Sequence, residues 1–231
     1  MDDSEIKMLE TLESYHWWYV IRKDYLISWA SGLPKGAHIL DLGSATGGNT
    51  LLLQDLGFIV TSLEYSNVGV DIQLSKGISV LQGDARDLPF TDNFFDAVIC
   101  LDVLEHIWED FQVLEEIHRV LKVYGKFLIT VPEDPKLWSS HDEAVNHVRR
   151  YSKKELSTKV EKAGLGYSRI WSSNILLRPF IATVRKFTKG SNAKPTNIIV
   201  NLCLLFVCRF EKSLKITFLP GVTLWIQGRK T

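Results

Sequence analysis

Three carboxylates stand where short apolar runs give out: Asp41 closes Ala37–Asp41, Glu64 follows Phe58–Leu63, and Asp84 lies two residues beyond Ile78–Gln82. The first opens the stretch Asp41-Leu42-Gly43-Ser44-Ala45-Thr46-Gly47-Gly48. Glycines let a backbone turn tightly and come close to a ligand, and a helix that follows offers free N–H groups at its start. An acid about twenty residues past such a loop is placed to accept from ribose hydroxyls, the position of Glu64. Asp84, followed by Ala85 and Leu88-Pro89-Phe90, can accept from an adenine amino group while a neighbouring N–H meets a ring nitrogen. Each feature alone is equally a structural turn, a helix cap or a solvated strand end. In this order they point to one nucleoside site.

A second group of residues carries proton and anion chemistry. His106 and His147 are candidate catalytic bases, needed only where an acceptor nucleophile holds its proton at neutral pH. For His106 the competing structural role is a helix-start histidine bonded to backbone. His141, Arg149, Arg150 and Tyr151 are candidate acceptor-binding residues, the arginines to grip a carboxylate or phosphate; an exposed basic loop is the plainer alternative. His141 and His147 with Asp142 lack the spacing of a helical metal pair and no cysteine joins them, so no metal is expected. Tyr15-His16-Trp17-Trp18-Tyr19, with Arg22 and Tyr25, puts unusual aromatic weight ahead of the glycine loop. A ring face attracts a cation, which makes Trp18 and Arg22 candidates for covering the ligand.

Strand-like and helix-like segments alternate to position these residues. Ser14–Ala30 reads as an amphipathic helix closed by Gly32 and Pro34, and Ala37–Asp41 as a strand. A helix at Gly47–Asp55, a strand at Phe58–Leu63, a helix near Asn67–Lys76 and a strand at Ile78–Gln82 follow. Phe94–Leu101 and Lys126–Val131 are near-continuous apolar runs of the kind buried on both faces of a parallel sheet. Between them Trp108–Leu121 is helical, with Val113, Leu114, Ile117, Val120 and Leu121 on one side. Glu133–Tyr151 reads as a loop or short helices. Lys153–Lys162 is a helix, Gly166–Trp171 a strand, Ile175–Lys186 and Thr196–Leu214 helices around the loop 189–195, and Val222–Lys230 a last strand. Alternation of this kind implies an α/β fold with a mostly parallel sheet and helices on both faces.

These residues resemble the class I S-adenosylmethionine-dependent methyltransferases of the small-molecule branch, with a methyltransferase type 11-like domain. Asp41 to Gly47 matches their first motif, Glu64 their ribose-binding acid, and Gly83-Asp84-Ala85 with Leu88-Pro89-Phe90 their adenine-binding stretch. Phe95 to Cys100 through Leu104-Glu105-His106 is similar to their fourth-strand segment, and Arg119 to Lys122 through Val131-Pro132 to the helix and strand after it. The resemblance implies a Rossmann-like, doubly wound sheet of seven strands with an antiparallel last strand. It implies S-adenosylmethionine as cofactor, S-adenosylhomocysteine as product, and donor contacts from Asp41, Gly43, Ser44, Gly47, Glu64, Tyr65, Asp84, Ala85, Leu101, Trp18 and Arg22. The resemblance also implies a small-molecule acceptor, such as a sugar, lipid or quinone precursor. Ala45 stands where the family usually has its middle glycine and Tyr124 where it often has a glycine; a methyl group at 45 is tolerated if the local φ is negative.

The chain of 231 residues fits one domain, divided into an amino-terminal aromatic cap (1–35), a donor-binding core (36–132) and an acceptor side (133–231). Formal net charge is zero and no basic stripe is present, which argues against nucleic acid as partner. The three cysteines are too scattered for a disulfide framework, and the polar first ten residues are no secretory signal, so a cytoplasmic monomer or homodimer is expected. The run 198–210 contains Asn201 and Arg209 and falls short of a bilayer span; core packing is its leading role, with peripheral membrane contact, aided by Lys212 and Lys215, as the alternative. Gly43, Ala45 and Gly48 also approximate a dinucleotide fingerprint. An NAD-dependent oxidoreductase is therefore a competing function, although Asp41 would oppose a pyrophosphate. A non-catalytic nucleoside-binding module is a third.

Overall fold

The apolar runs of the sequence become the centre of a seven-stranded sheet, ordered β3-β2-β1-β4-β5-β7-β6. The computed structural model describes residues 3–188, 190, 195–214, 216 and 219–231, with side chains from residue 6 onward. The strands are β1 (His38–Leu42), β2 (Ile59–Glu64), β3 (Val80–Gln82), β4 (Phe95–Leu101), β5 (Leu121–Pro132), β6 (Leu165–Ser173) and β7 (Thr223–Lys230). The first five pair in parallel, and β7 runs antiparallel between β5 and β6. This is the doubly wound, Rossmann-like α/β sheet with a reversed last strand that the sequence implies.

Nine helices are described: α1 (Asp3–Leu12), α2 (Trp17–Ala30), α3 (Gly48–Asp55), α4 (Asn67–Ser75), α5 (Asp110–Val120), α6 (Ser140–Ala144), α7 (Lys153–Lys162), α8 (Arg178–Phe187) and α9 (Ile198–Leu214). On one face of the sheet, Val113, Leu114, Ile117 and Val120 of α5 and Leu156 and Val160 of α7 pack against Leu40, Val98, Phe127 and Ile129. Full burial of such side chains stabilises the fold by roughly 1.5–3 kcal/mol each. On the other face, Leu26 and Ala30 of α2 and Leu53 of α3 cover Ile39, Ala97, Ile99 and the stacked pair Trp171 and Trp225.

Three differences from the sequence reading have physical reasons. α1 carries no clear sequence signal, because its stretch is mostly polar and only Ile6 and Leu12 among its described side chains are buried. β5 begins at Leu121, but its pairing with β4 shifts between Leu121 and Lys126, where Tyr124 turns the chain at φ 63°. A left-handed residue is why a glycine is common there. The third difference corrects the core role expected of 198–210. α9 turns Asn201, Cys208 and Glu211 inward and leaves Ile198, Leu202, Phe206 and Phe210 exposed. The loop expected at 189–195 falls largely outside the described residues, and Lys215 wholly so.

Candidate active site

β1, β2 and β3 are adjacent and parallel, so their carboxyl ends open on one edge of the sheet. Asp41 is the penultimate residue of β1, Glu64 the last of β2, and Asp84 lies two residues past β3. The three acids therefore share an edge, as one nucleoside site requires.

The loop from β1 into α3 turns with Gly43, Ala45 and Gly47 all at positive φ, 73°, 49° and 82°. A Cβ on Gly43 would lie 2.4 Å from Val103 Cγ2, so the loop passes in near contact with the segment after β4. Ala45 does not take the negative φ that would accommodate its methyl group without strain. The left-handed conformation costs an L-residue about 1–2 kcal/mol. Two hydrogen bonds hold it there: its N–H donates to Glu64 Oε2 at 2.7 Å, and its carbonyl accepts from Gln73 Nε2 at 2.9 Å. Ser44 also differs from expectation. Its buried hydroxyl lies 2.6 Å from Ser62 Oγ and accepts from Gln73 Nε2 at 2.9 Å, so the side chain braces the loop rather than facing a ligand.

Glu64 Oε1 accepts the Ser66 N–H at 2.8 Å while Oε2 holds Ala45. Backbone donors thus fix the plane of the carboxylate, and each oxygen keeps a lone pair for a further donor. Beside it Tyr65 is 72 % exposed and lines a cleft with Asn67, Gln82, Gly83 and Asp84. Asp84 is gripped by Arg86 through Nη2–Oδ2 (2.7 Å) and Nε–Oδ1 (3.0 Å), contacts that hold its carboxyl below the usual range. Ala85 turns its methyl into the core, and Leu101 packs partly buried at the end of β4. Asp41 is fully buried. Burial pushes its carboxyl up to about 7, outweighing the 2.6 Å hydrogen bond from Thr50 Oγ1, and Glu64 acts in the same upward direction. A larger hollow of about 1030 Å³, lined by Trp29, Lys126, Arg169 and Arg229, opens toward the opposite end of the outer strands and touches none of these acids.

α2 crosses toward the strand tips. Arg22 Nη2 lies 2.5 Å from Asp102 Oδ2 and 2.7 Å from Thr130 Oγ1, tying the amino-terminal helix to the ends of β4 and β5. Trp18, one turn earlier, meets Trp17 edge-on at 5.4 Å beside the cluster of Ile21, Leu177 and Cys208. Trp17 and Ile21 thus anchor the cap while Arg22 reaches the site.

Past β4 and β5 the turn Leu104–His106 and α6 bring the histidines together. The rings of His106 and His147 are 4.8 Å apart, and those of His141 and His147 6.4 Å. Burial lowers both His106 and His141 to about 3, which makes His106 a poor general base at neutral pH. Three residues expected to grip an acceptor are committed internally. Tyr151 is wholly buried, its hydroxyl donating to Asp110 Oδ2 at 2.7 Å. Arg149 donates to Asp110 Oδ2 at 3.0 Å and to the Trp108 carbonyl at 2.9 Å. Arg150, also buried, donates to Asp142 Oδ1 at 2.8 Å and the Glu133 carbonyl at 2.6 Å. Burial opposes ionisation of Asp142, yet His147 and Arg150 outweigh it and hold that carboxyl well below the ordinary range.

Two residues of this cluster were not singled out from sequence. Glu105 is 1 % exposed with neither oxygen hydrogen-bonded among the described residues, and burial raises its carboxyl far above the usual range. An acid beside a histidine at a strand exit is the signal that would have found it. Arg185 of α8 has buried Nε and Nη1 atoms without hydrogen bonds among the described residues and acts electrostatically on His141 and Asp142. It lies too far along the chain for any local signal.

Residues 40–129 match the family model described as a methyltransferase domain. The chain is 29 % identical over 133 residues to a probable S-adenosylmethionine-dependent methyltransferase of Mycolicibacterium smegmatis, covering 56 % of this chain and 52 % of that one. It is 31 % identical over 144 residues to the uncharacterized protein YafE of Escherichia coli, covering 58 % and 67 %. The chain thus spans about half the length of the first relative and two thirds of the second. In fold it is similar to a SAM-dependent methyltransferase from Thermotoga maritima, with a TM-score of 0.68 and 18 % identity, the match covering 99 % of this chain and 96 % of the other. With acids at three successive strand tips around a glycine loop, and with these likenesses, the chain belongs to the class I S-adenosylmethionine-dependent methyltransferases.

Proposed function

We propose that this chain binds S-adenosylmethionine across the tips of β1, β2 and β3 and transfers its methyl group to a small apolar or lipid-borne acceptor. The convergence of Asp41, Glu64 and Asp84 on one sheet edge carries the reading. When bound, the donor supplies an electrophilic methyl group on a sulfonium sulfur and leaves as S-adenosylhomocysteine. The rest is positioning. Glu64, already oriented by two backbone amides, accepts from the ribose hydroxyls, and Asp84, braced by Arg86, accepts from the adenine amino group. Gly43 gives the backbone its close approach, and the Arg22–Asp102 clamp holds α2 over the tips so that water is kept out. In this reading 1–35 act as the cap, 36–132 as the donor-binding core and 133–231 as the acceptor side. Displacement at a sulfonium needs little covalent help. Holding the acceptor near and collinear accounts for several kcal/mol of the acceleration, on the order of 7–11 in the best cases.

The apolar outer face of α8 and α9 favours a lipid-borne acceptor over a sugar, because a protein that works on such molecules gains from meeting the surface that holds them. Calorimetric titration tests the donor site. S-adenosylhomocysteine is expected to bind with micromolar affinity, and Glu64→Ala to weaken it by about a hundredfold through loss of charge-assisted hydrogen bonds. Folded wild-type protein that takes up neither sulfur compound would refute the assignment.

A further inference from the structure

At the tips of β4 and β5 three side chains converge that the donor site does not use. Glu105, His106 and His147 each offer one ligand atom, and these atoms lie within 4.8 Å of one another. Glu105 is the anomaly. A carboxylate this deeply buried is ordinarily hydrogen-bonded or paired, yet both its oxygens are without a hydrogen bond among the described residues. No described residue satisfies it.

The two histidines are oriented from behind. His106 Nδ1 lies 3.2 Å from the Asn146 carbonyl, which only accepts, so Nδ1 carries the proton and Nε2 the lone pair. His147 Nδ1 lies 3.0 Å from Asp142 Oδ1, a carboxylate ion-paired with Arg150, and the same logic frees its Nε2. That Nε2 stands 3.9 Å from Glu105 Oε1, too far for a hydrogen bond. Two ligands each about 2.1 Å from one cation lie about 3.4 Å apart in a tetrahedral shell, so this pair would close by about half an ångström and separations up to the trio's 4.8 Å limit by at most about 1.4 Å to seat an ion. A ring nitrogen held from behind by a carbonyl or carboxylate is how proteins orient histidines toward metals.

We propose that Glu105, His106 and His147 form a binding site for one divalent first-row transition-metal ion, with Asp142 and the Asn146 carbonyl as its outer supports. Two imidazoles with one carboxylate suit Zn²⁺, Fe²⁺, Mn²⁺ or Co²⁺ better than Ca²⁺ or Mg²⁺, which favour oxygen ligands throughout. The set differs from the His141, His147 and Asp142 combination that sequence spacing argues against. Three protein ligands leave coordination positions open at the carboxyl edge of the sheet, where they would hold an acceptor oxygen. That use rests on the methyltransferase reading; the site itself does not.

The test is titration of the chelator-stripped 231-residue chain with Co²⁺ and Zn²⁺, followed by calorimetry and by the visible absorption of Co²⁺. One equivalent is expected to bind, with imidazole-ligated Co²⁺ bands. Glu105→Gln, His106→Asn and His147→Asn should each weaken binding by at least about a hundredfold while S-adenosylhomocysteine affinity stays within about threefold. The histidine variants, at partly exposed positions, serve if the substitution of the buried Glu105 unfolds the chain. Wild-type protein that takes up no stoichiometric Co²⁺ or Zn²⁺ overturns the proposal, as do variants that keep S-adenosylhomocysteine and bind metal like the wild type. Metal uptake with no binding of S-adenosylhomocysteine upholds the site and removes only the methyl-donor reading.

Discussion

Asp41 shows how far a single side chain departs from what its letter in the sequence conveys. Its position at the strand end was readable, but its full burial and a carboxyl raised to about 7 were not, because the surrounding fold buries it and burial drives the rise, with Glu64 adding to it and the Thr50 hydrogen bond opposing it. The donor carries an ammonium and a sulfonium, and a cation nearby favours the ionised acid. Below about pH 6 Asp41 is mostly neutral and donor binding must expel its proton; above about pH 8 it is already ionised. Affinity for S-adenosylmethionine should therefore rise with pH through 7, by at most about tenfold per unit, and then level off. Titrations at several pH values check this, and Asp41→Asn should flatten the profile; a wild-type profile that is already flat would remove Asp41 from the donor site. Ala45 gives a second case. Relief of about 1–2 kcal/mol of left-handed strain, less about 0.5–1 kcal/mol for the greater freedom of an unfolded glycine, leaves Ala45→Gly more stable by about 0–1.5 kcal/mol. Chemical denaturation measures it, and a destabilised variant would mean the methyl group packs productively.

The parallel strands were legible for a simple reason: a strand buried on both faces must be written in uninterrupted apolar residues, as Phe95–Leu101 nearly is. α9 misleads because its polar residues hold the structure together. Asn201 Oδ1 accepts the first N–H of α2 from Trp17 at 2.8 Å, and its Nδ2 donates to the Tyr15 carbonyl at 2.8 Å, contacts that span 184 and 186 positions of chain. Glu211 Oε2 accepts the Leu176 N–H at 2.8 Å. A helix start otherwise lacks partners for its first amides, so the Asn201 contact fixes where the cap begins. Asn201→Leu is expected to destabilise the fold by about 1–3 kcal/mol by stranding a buried donor and acceptor. It should also speed amide hydrogen exchange in the first turn of α2 far more than in β4. Uniform acceleration across both would instead mark a general loss of stability. The same long-range logic explains why Arg149, Arg150 and Tyr151 look like acceptor ligands in sequence: their partners Asp110, Glu133 and Asp142 are 8 to 41 positions away.

Across the whole molecule, zero net charge conceals a surface divided in kind. No helix among the described residues is long and apolar enough to cross a membrane. Yet Phe180 and Phe187 of α8 and Ile198, Leu202, Phe206 and Phe210 of α9 are all exposed, Phe206 by 71 %. Single exposed apolar residues are common, but Ile198, Leu202, Phe206 and Phe210 recur every fourth residue and so line one stripe of α9, an apolar surface that water disfavours. Lys186 lies beside Phe187 on α8, a cation suited to an anionic lipid surface, whereas Arg209 of α9 is ion-paired with Asp24 at 2.8 Å. Burying one Phe in the acyl boundary contributes roughly 2–3 kcal/mol, so Phe206→Asp with Phe210→Asp should weaken vesicle binding by at least about a hundredfold. The measurement is cosedimentation with anionic and with neutral vesicles, expecting binding to the first and less to the second. Because neither residue touches the strand tips, affinity for S-adenosylhomocysteine should stay unchanged in the double variant. Wild-type protein that ignores vesicles but runs as a dimer, broken by the same substitutions, would assign this face to a second copy of the chain and weaken the case for a lipid-borne acceptor.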